Sequence, residues 1–242
     1  QNKWFNRQSG RSEAMMFDPG AKVLGEKDGG AEDETSPRNL LGTTIFDELR
    51  LASPAAKVVA IALKGRGALL LGGQTGTAYF FSDQFGGFTT TSYYAAEPPG
   101  WVKAWNGRKL ADAAFGKKWE RLLPAASYQG VDDSPSEDNV KGLGRTFPHP
   151  LTGGQSAPGP AFYEALTHSA VGLDLELDFA LTALNEERLG QRGVTDVLAL
   201  SISSTDLVGH AYGPFSHEYQ DMLARLDRAV ARLVGEIDRR FA

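Results

Sequence analysis

At 242 residues, 41% of them hydrophobic, the chain has the size and apolar content of one α/β domain, or of a core with a large insertion. A net charge of −5 and the lack of any Lys/Arg cluster argue against a nucleic-acid partner. Zero cysteines exclude disulfides, thiolate zinc sites and a cysteine nucleophile, and no apolar run approaches the ~20 residues that cross a bilayer.

Residues 1–38 are polar, with turn signals at Pro19-Gly20, Gly29-Gly30 and Ser36-Pro37. The opening Gln1-Asn2-Lys3-Trp4-Phe5-Asn6 is not a signal peptide and has no Met, and Ile237 to Ala242 still reads as helix. Both ends are therefore expected to be cut from something longer. Trp4 and Phe5 suit the start of a strand, and the acidic stretch 26–35 suits a solvated loop.

Ser36-Pro37 predicts a helix start. Leu40, Leu41, Thr44, Ile45, Glu48, Leu49 and Leu51 then keep close to a 3.6 period until Ser53-Pro54. Val58 to Leu63 is a short apolar run, which predicts a strand buried on both faces. Tyr79-Phe80-Phe81 and Phe88 to Tyr94, with Gly86-Gly87 between them, predict a β-hairpin, followed by a short helix over Trp101 to Trp105.

Residues 106–160 are irregular, with Trp119 and Tyr128 as anchors. The stretch is too long for a plain loop in a compact domain and predicts an inserted cap or lid, partly helical at 108–123. Ala161 to Leu166 and Leu175 to Arg188 read as helices, and Thr195 to Ser203 as a second buried strand. Ser216 to Arg240 reads as a long helix capped by Ser216. Its apolar face carries Tyr219, Met222, Leu223, Leu226, Val230, Leu233 and Ile237.

The fold class that follows is α/β: part of a mostly parallel, doubly wound sheet flanked by helices, with an inserted cap region containing a β-hairpin. The expected division is 1–67 as the first part of the core, 68–160 as hairpin and cap, and 161–242 as the second part of the core.

Chemistry-bearing groups gather at two predicted strand ends, where open α/β sheets place their sites. Asp206 and His210 follow the second strand, with Gly209 and Gly213-Pro214 allowing sharp turns. A carboxylate and an imidazole at this spacing can hold one zinc ion. The alternative is a turn-capping Asp and a His bonded to backbone. Lys64-Gly65-Arg66 follows the first strand, and two cations there can receive a phosphoryl group. The alternative is a basic turn in solvent. Asn2, by position alone, is a polar terminus.

His149, in Phe147-Pro148-His149-Pro150, suits a structural loop, and His168 and His217 are expected to face solvent. No Gly-x-Ser-x-Gly elbow surrounds Ser203-Ser204-Thr205, and Leu71 to Thr77 lacks the Lys-Ser/Thr ending of a phosphate-binding P-loop.

The segment Ser203 to Pro214 resembles the metal-binding segment of the alkaline phosphatase superfamily. The branch it resembles is that of bacterial periplasmic alkaline phosphatases with a threonine nucleophile, related to the nucleotide pyrophosphatase/phosphodiesterases. Asn2-Lys3-Trp4-Phe5, Ser36 to Leu41 with Thr43-Thr44, Ala62 to Arg66, and Ser92-Tyr93-Tyr94 with Trp101-Val102 agree with it.

The resemblance implies that Asp206 and His210 bind one of two zinc ions. It implies that Lys64 and Arg66 contact the non-bridging oxygens of a phosphate monoester, and that Asn2 holds a phosphate oxygen. It further implies a small-molecule phosphate ester as substrate, a covalent phosphoenzyme, and a periplasmic or secreted location. The nucleophile and the remaining metal ligands that this branch requires have no match in the chain. The chain by itself is therefore expected to be an inactive segment of a phosphomonoesterase. The alternatives are a phosphodiesterase of the same superfamily and a non-catalytic binding domain.

Overall fold

The computed structural model describes residues 3–26 and 35–241. Fifteen strands and α-helices follow in order: β1 (Lys3–Asn6), β2 (Arg11–Ala14), α1 (Ile45–Ala52), β3 (Val58–Ala62), α2 (Gly65–Gly72), β4 (Thr77–Ser82), β5 (Gly87–Thr89), α3 (Gly100–Gly107), β6 (Lys118–Trp119), β7 (His149–Pro150), α4 (Pro160–Thr167), α5 (Ala170–Glu186), β8 (Val197–Ser201), α6 (Ser203–Tyr212) and α7 (His217–Phe241). Much of 108–159 is irregular, as expected, with short 3-10 turns. No helix among the described residues is long and apolar enough to cross a membrane.

The chain forms two compact units. The first takes residues 1–82, 88–107 and 182–201; the second takes 83–87, 108–181 and 202–242. These boundaries differ from the expected ones at 67 and 160.

The first unit carries the main sheet, in the order β5-β4-β3-β8. β3 pairs in parallel with β4 on one side and β8 on the other. All five residues of β3 are buried, as its apolar run predicts. A fully buried Val or Ile contributes about 1.5–3 kcal/mol, so this strand is the keel of the unit. Met16, Leu69, Phe80 and Ala199 close the core around it. The expected hairpin exists as the neighbours β4 and β5, but both belong to this main sheet.

β8 differs from its prediction. It is shorter, and only Ala199 is buried, because β3 is its only neighbour among the described strands.

The helix expected from Ser36 begins at Ile45. Thr44 accepts a bond from Asp47 N–H, and the Asp47 carboxylate accepts one from Thr44 N–H, a reciprocal cap that fixes the start. Leu41 lies outside the helix and is fully exposed. Asp47 also ties α1 to the chain after α2, accepting bonds from Thr75 N–H (2.9 Å) and Thr75 Oγ1 (2.7 Å). Gly73, with φ +61°, ends α2 against this carboxylate; a Cβ at this position would collide with it.

In the second unit the predicted anchors meet at one carboxylate. Asp221 of α7 is fully buried. It accepts bonds from Trp119 Nε1 (2.7 Å), Leu122 N (2.7 Å), Tyr128 Oη (2.6 Å) and Arg225 Nε (2.6 Å). Burial pushes this acid up, but the bonds from Tyr128, Arg225, Leu122 and Trp119 outweigh it and hold the acid below its usual range.

His149 is wholly buried and bonds to Glu218 Oε1 (2.9 Å) and Leu143 O (3.1 Å), a structural role as expected. His217 is not solvent-facing as expected. It is buried against the Tyr128 ring and lies 3.2 Å from Asp132. Ser216 caps α7, its Oγ accepting from Tyr219 N (3.0 Å). The α7 apolar face is buried at Met222, while Leu223 and Val230 are exposed.

Candidate functional site

The two candidate halves lie in different compact units and are described separately. In the first unit, Ala62 pairs with Ser201, so β3 and β8 finish at the same edge of the sheet. Lys64 stands two residues beyond β3 as the N-cap of α2, its carbonyl accepting from Ala68 N–H (3.2 Å). Arg66 is in the first turn, and both cations are half-buried. The first N–H groups of a helix have no intrahelical acceptor and favour anions. A helix start flanked by Lys64 and Arg66 is thus chemically suited to a phosphoryl group.

In the second unit, Asp206 and His210 are both on α6. Of the sharp turns expected around them, the one at Gly209 is absent, since the helix continues through it, while Gly213, with φ +87°, ends the helix in a turn. Gly209 serves packing instead, since a Cβ there would stand 3.1 Å from the Tyr219 ring of α7. Ser203 and Ser204 are the buried first residues of the same helix.

The four-residue spacing puts Asp206 and His210 on one face, with Oδ1 to Nε2 at 3.3 Å. Their side chains are 55% and 79% exposed. An exposed pair of this kind contributes only about 0.3–0.5 kcal/mol, so the fold does not depend on it. A carboxylate beside an imidazole is a donor set that suits zinc. Among the described residues no group of three or more His, Cys, Asp or Glu could hold a metal. Asn2 lies outside the described residues.

A cleft in this unit had no signal in the sequence. It has a volume of about 260 Å³ and is lined by Val131, Ser134, Glu137, Tyr212 and Phe215, among others. Its acid, Glu137, stands in a Ser- and Asp-rich stretch where nothing distinguishes it from solvated neighbours. Folding alone makes it 95% buried, since it is 5% exposed.

The whole chain, residues 1–242, matches the family model for type I phosphodiesterase / nucleotide pyrophosphatase. The alkaline phosphatase PhoV of Synechococcus elongatus is 36% identical over 98% of this chain and 43% of its own length. The alkaline phosphatase PafA of Elizabethkingia meningoseptica is 33% identical over 99% of this chain and 44% of its own. The wild-type PafA crystal structure superposes with a TM-score of 0.86 at 32% identity, covering 98% of this chain and 46% of that one. The chain thus spans a little under half the length of these relatives, and its mixed α/β architecture matches that of PafA. It belongs to the type I phosphodiesterase/nucleotide pyrophosphatase family.

Proposed function

We propose that this chain is part of a metal-dependent phosphate monoester hydrolase of the alkaline phosphatase kind. The observation that carries the reading is the Asp206–His210 pair, held 3.3 Å apart on an exposed helix face that the fold does not need. The two relatives named alkaline phosphatase support it.

Asp206 and His210 would hold one of two divalent metals, with zinc the best fit to their donor atoms. When bound, zinc supplies Lewis acidity toward a phosphoryl oxygen. Lys64 and Arg66, with the N–H groups at the start of α2, bind and orient the non-bridging oxygens of a monoester. Arg66 does so with a planar fork and Lys64 with a point charge. Asn2 donates to a further oxygen. In the intact protein a hydroxyl nucleophile passes the phosphoryl group through a covalent phosphoenzyme. None of the residues assigned here is that nucleophile, so the 242-residue chain alone turns over negligibly. The substrate is a small-molecule phosphate ester, and the location periplasmic or secreted.

The test uses the intact enzyme that contains this chain. Lys64→Ala with Arg66→Ala should depress monoester hydrolysis far more than diester hydrolysis, because a diester carries one charge fewer. Equal losses would point to the second reading, a phosphodiesterase or nucleotide pyrophosphatase, which the matched family description favours. Zinc titration with Asp206→Ala and His210→Ala separates both from a non-catalytic binding domain, for which neither substitution changes metal uptake.

A further inference from the structure

None of the residues that line the Glu137 cleft is assigned to phosphate or metal. The cleft lies beyond the C-terminal end of α6, where Tyr212 and Gly213 meet the turn Ser134–Glu137. Asp138 N–H bonds to Ala211 O (2.9 Å), which pins that turn to the helix end. Glu137 is nine-tenths buried, yet among the described residues its carboxylate accepts one hydrogen bond, from Ser134 N–H to Oε2 at 3.3 Å, and makes no ion pair.

Nearby cations are already engaged: Arg121 bonds to Asp132 (2.7 Å) and Arg145 to Asp133 (2.6 Å). Glu218, whose charge acts on Glu137, is fully buried; its Oε1 bonds to His149, and its Oε2 has no hydrogen-bond partner among the described residues. Burial, then the neighbouring carboxylates Glu218, Asp132 and Asp133, push the Glu137 acid upward despite the Ser134 bond. The carbonyl end of α6 adds negative potential, which favours a cation. A carboxylate so placed is costly unless a positive charge completes it.

The other walls narrow the class of cation. Phe215, 87% exposed, and Val131, 69% exposed, offer apolar surface at the mouth, and Pro214 adds to it. Aromatic and aliphatic walls suit a hydrocarbon body with a charged tip. They do not supply the ring of oxygens that a hard metal ion needs.

We propose that this cleft binds a primary alkylammonium group, with Glu137 as its counter-ion and Phe215 and Val131 packing on its carbon chain. The group can come from a free amine or from a lysine side chain. Neither source depends on the phosphatase reading.

The test is NMR titration of the 242-residue chain with n-butylamine, n-butanol and Nα-acetyl-lysine methylamide at pH 7. Butylamine should shift the amides of 130–137 and 212–216 saturably, and butanol should bind at least tenfold more weakly. Glu137→Gln, nearly isosteric and relieved of a buried charge, should abolish the preference for the amine. Phe215→Ala, at an exposed position, should weaken the amine several-fold without unfolding. Tighter binding of the lysine derivative assigns the site to peptide side chains; tighter binding of butylamine assigns it to free amines. Equal shifts by amine and alcohol, an unchanged titration in Glu137→Gln, or calcium displacing the amine would each overturn the proposal.

Discussion

Asp206 and Asp221 are the same residue type on neighbouring helices of one compact unit, and the structure treats them in opposite ways. Asp221 is sealed from solvent and saturated by four donors. Asp206 is more than half exposed and leans on His210 at 3.3 Å. A buried carboxylate with all its bonds made inside the protein holds the fold. An exposed one paired with a histidine at the surface contributes little to the fold. The contrast separates an acid that packing consumes from one that it leaves at the surface, without any appeal to their positions in the sequence.

The strongest way to break the contrast is Asp221→Ala. It strands the Trp119 indole N–H, the Leu122 N–H, the Tyr128 hydroxyl and Arg225, and should cost about 3–5 kcal/mol in urea denaturation. A loss under 1 kcal/mol would mean that the hub is not structural.

Acid titration sharpens the same point. Hydrogen bonds hold the folded Asp221 acid below its usual range. Its contribution is therefore fully present above the unfolded value of about 3.9 and is lost as pH falls through that value toward the folded one. Thermal melts between pH 7 and pH 3 should show that drop in the wild type. Asp221→Asn should have a lower melting temperature at neutral pH and a flatter curve below pH 4.

Asp47 lies between the extremes. It is buried and cap-forming, but four bonds from Thr44 and Thr75 share its load. Thr44→Ala removes half of the reciprocal cap and should cost about 1 kcal/mol. The smallest effect is expected at the exposed pair. Asp206→Ala and His210→Ala should each change stability by about 0.5 kcal/mol or less. In the intact enzyme, however, they should greatly reduce zinc retained after dialysis. Destabilisation as large as that of Asp221→Ala would return the pair to the structural class.

The parts that were legible in the sequence are those with a local cause. Val58 to Ala62 read as a buried strand because every side chain is apolar, and Ser216 read as a cap because the long periodic segment starts beside it. The start of α1 was misread because Leu40 and Leu41 continue the period while the deciding signal, Thr44 with Asp47 three residues on, is polar and short. His217 and Asp221 were opaque for a different reason. Their partners, Tyr128, Asp132, Trp119 and Leu122, lie 85 or more positions earlier, and no local pattern announces them. In the candidate site, the spacing of Asp206 and His210 was visible but not its helical setting, because Gly209 reads as a turn until the Tyr219 ring is seen to pack closely against it. Glu137 needed the fold altogether.

The Trp119 indole that donates to Asp221 also has an optical consequence. Of the four tryptophans, Trp4, Trp101 and Trp105 belong to the first unit and Trp119 to the second. Trp119 is 2% exposed and bonded, so it should emit toward the blue while the second unit is intact and shift red when that unit opens. In a chain carrying Trp4→Phe, Trp101→Phe and Trp105→Phe, fluorescence would follow that unit alone. Circular dichroism would follow the whole, and a gap between the two curves would reveal whether the halves melt together or in turn.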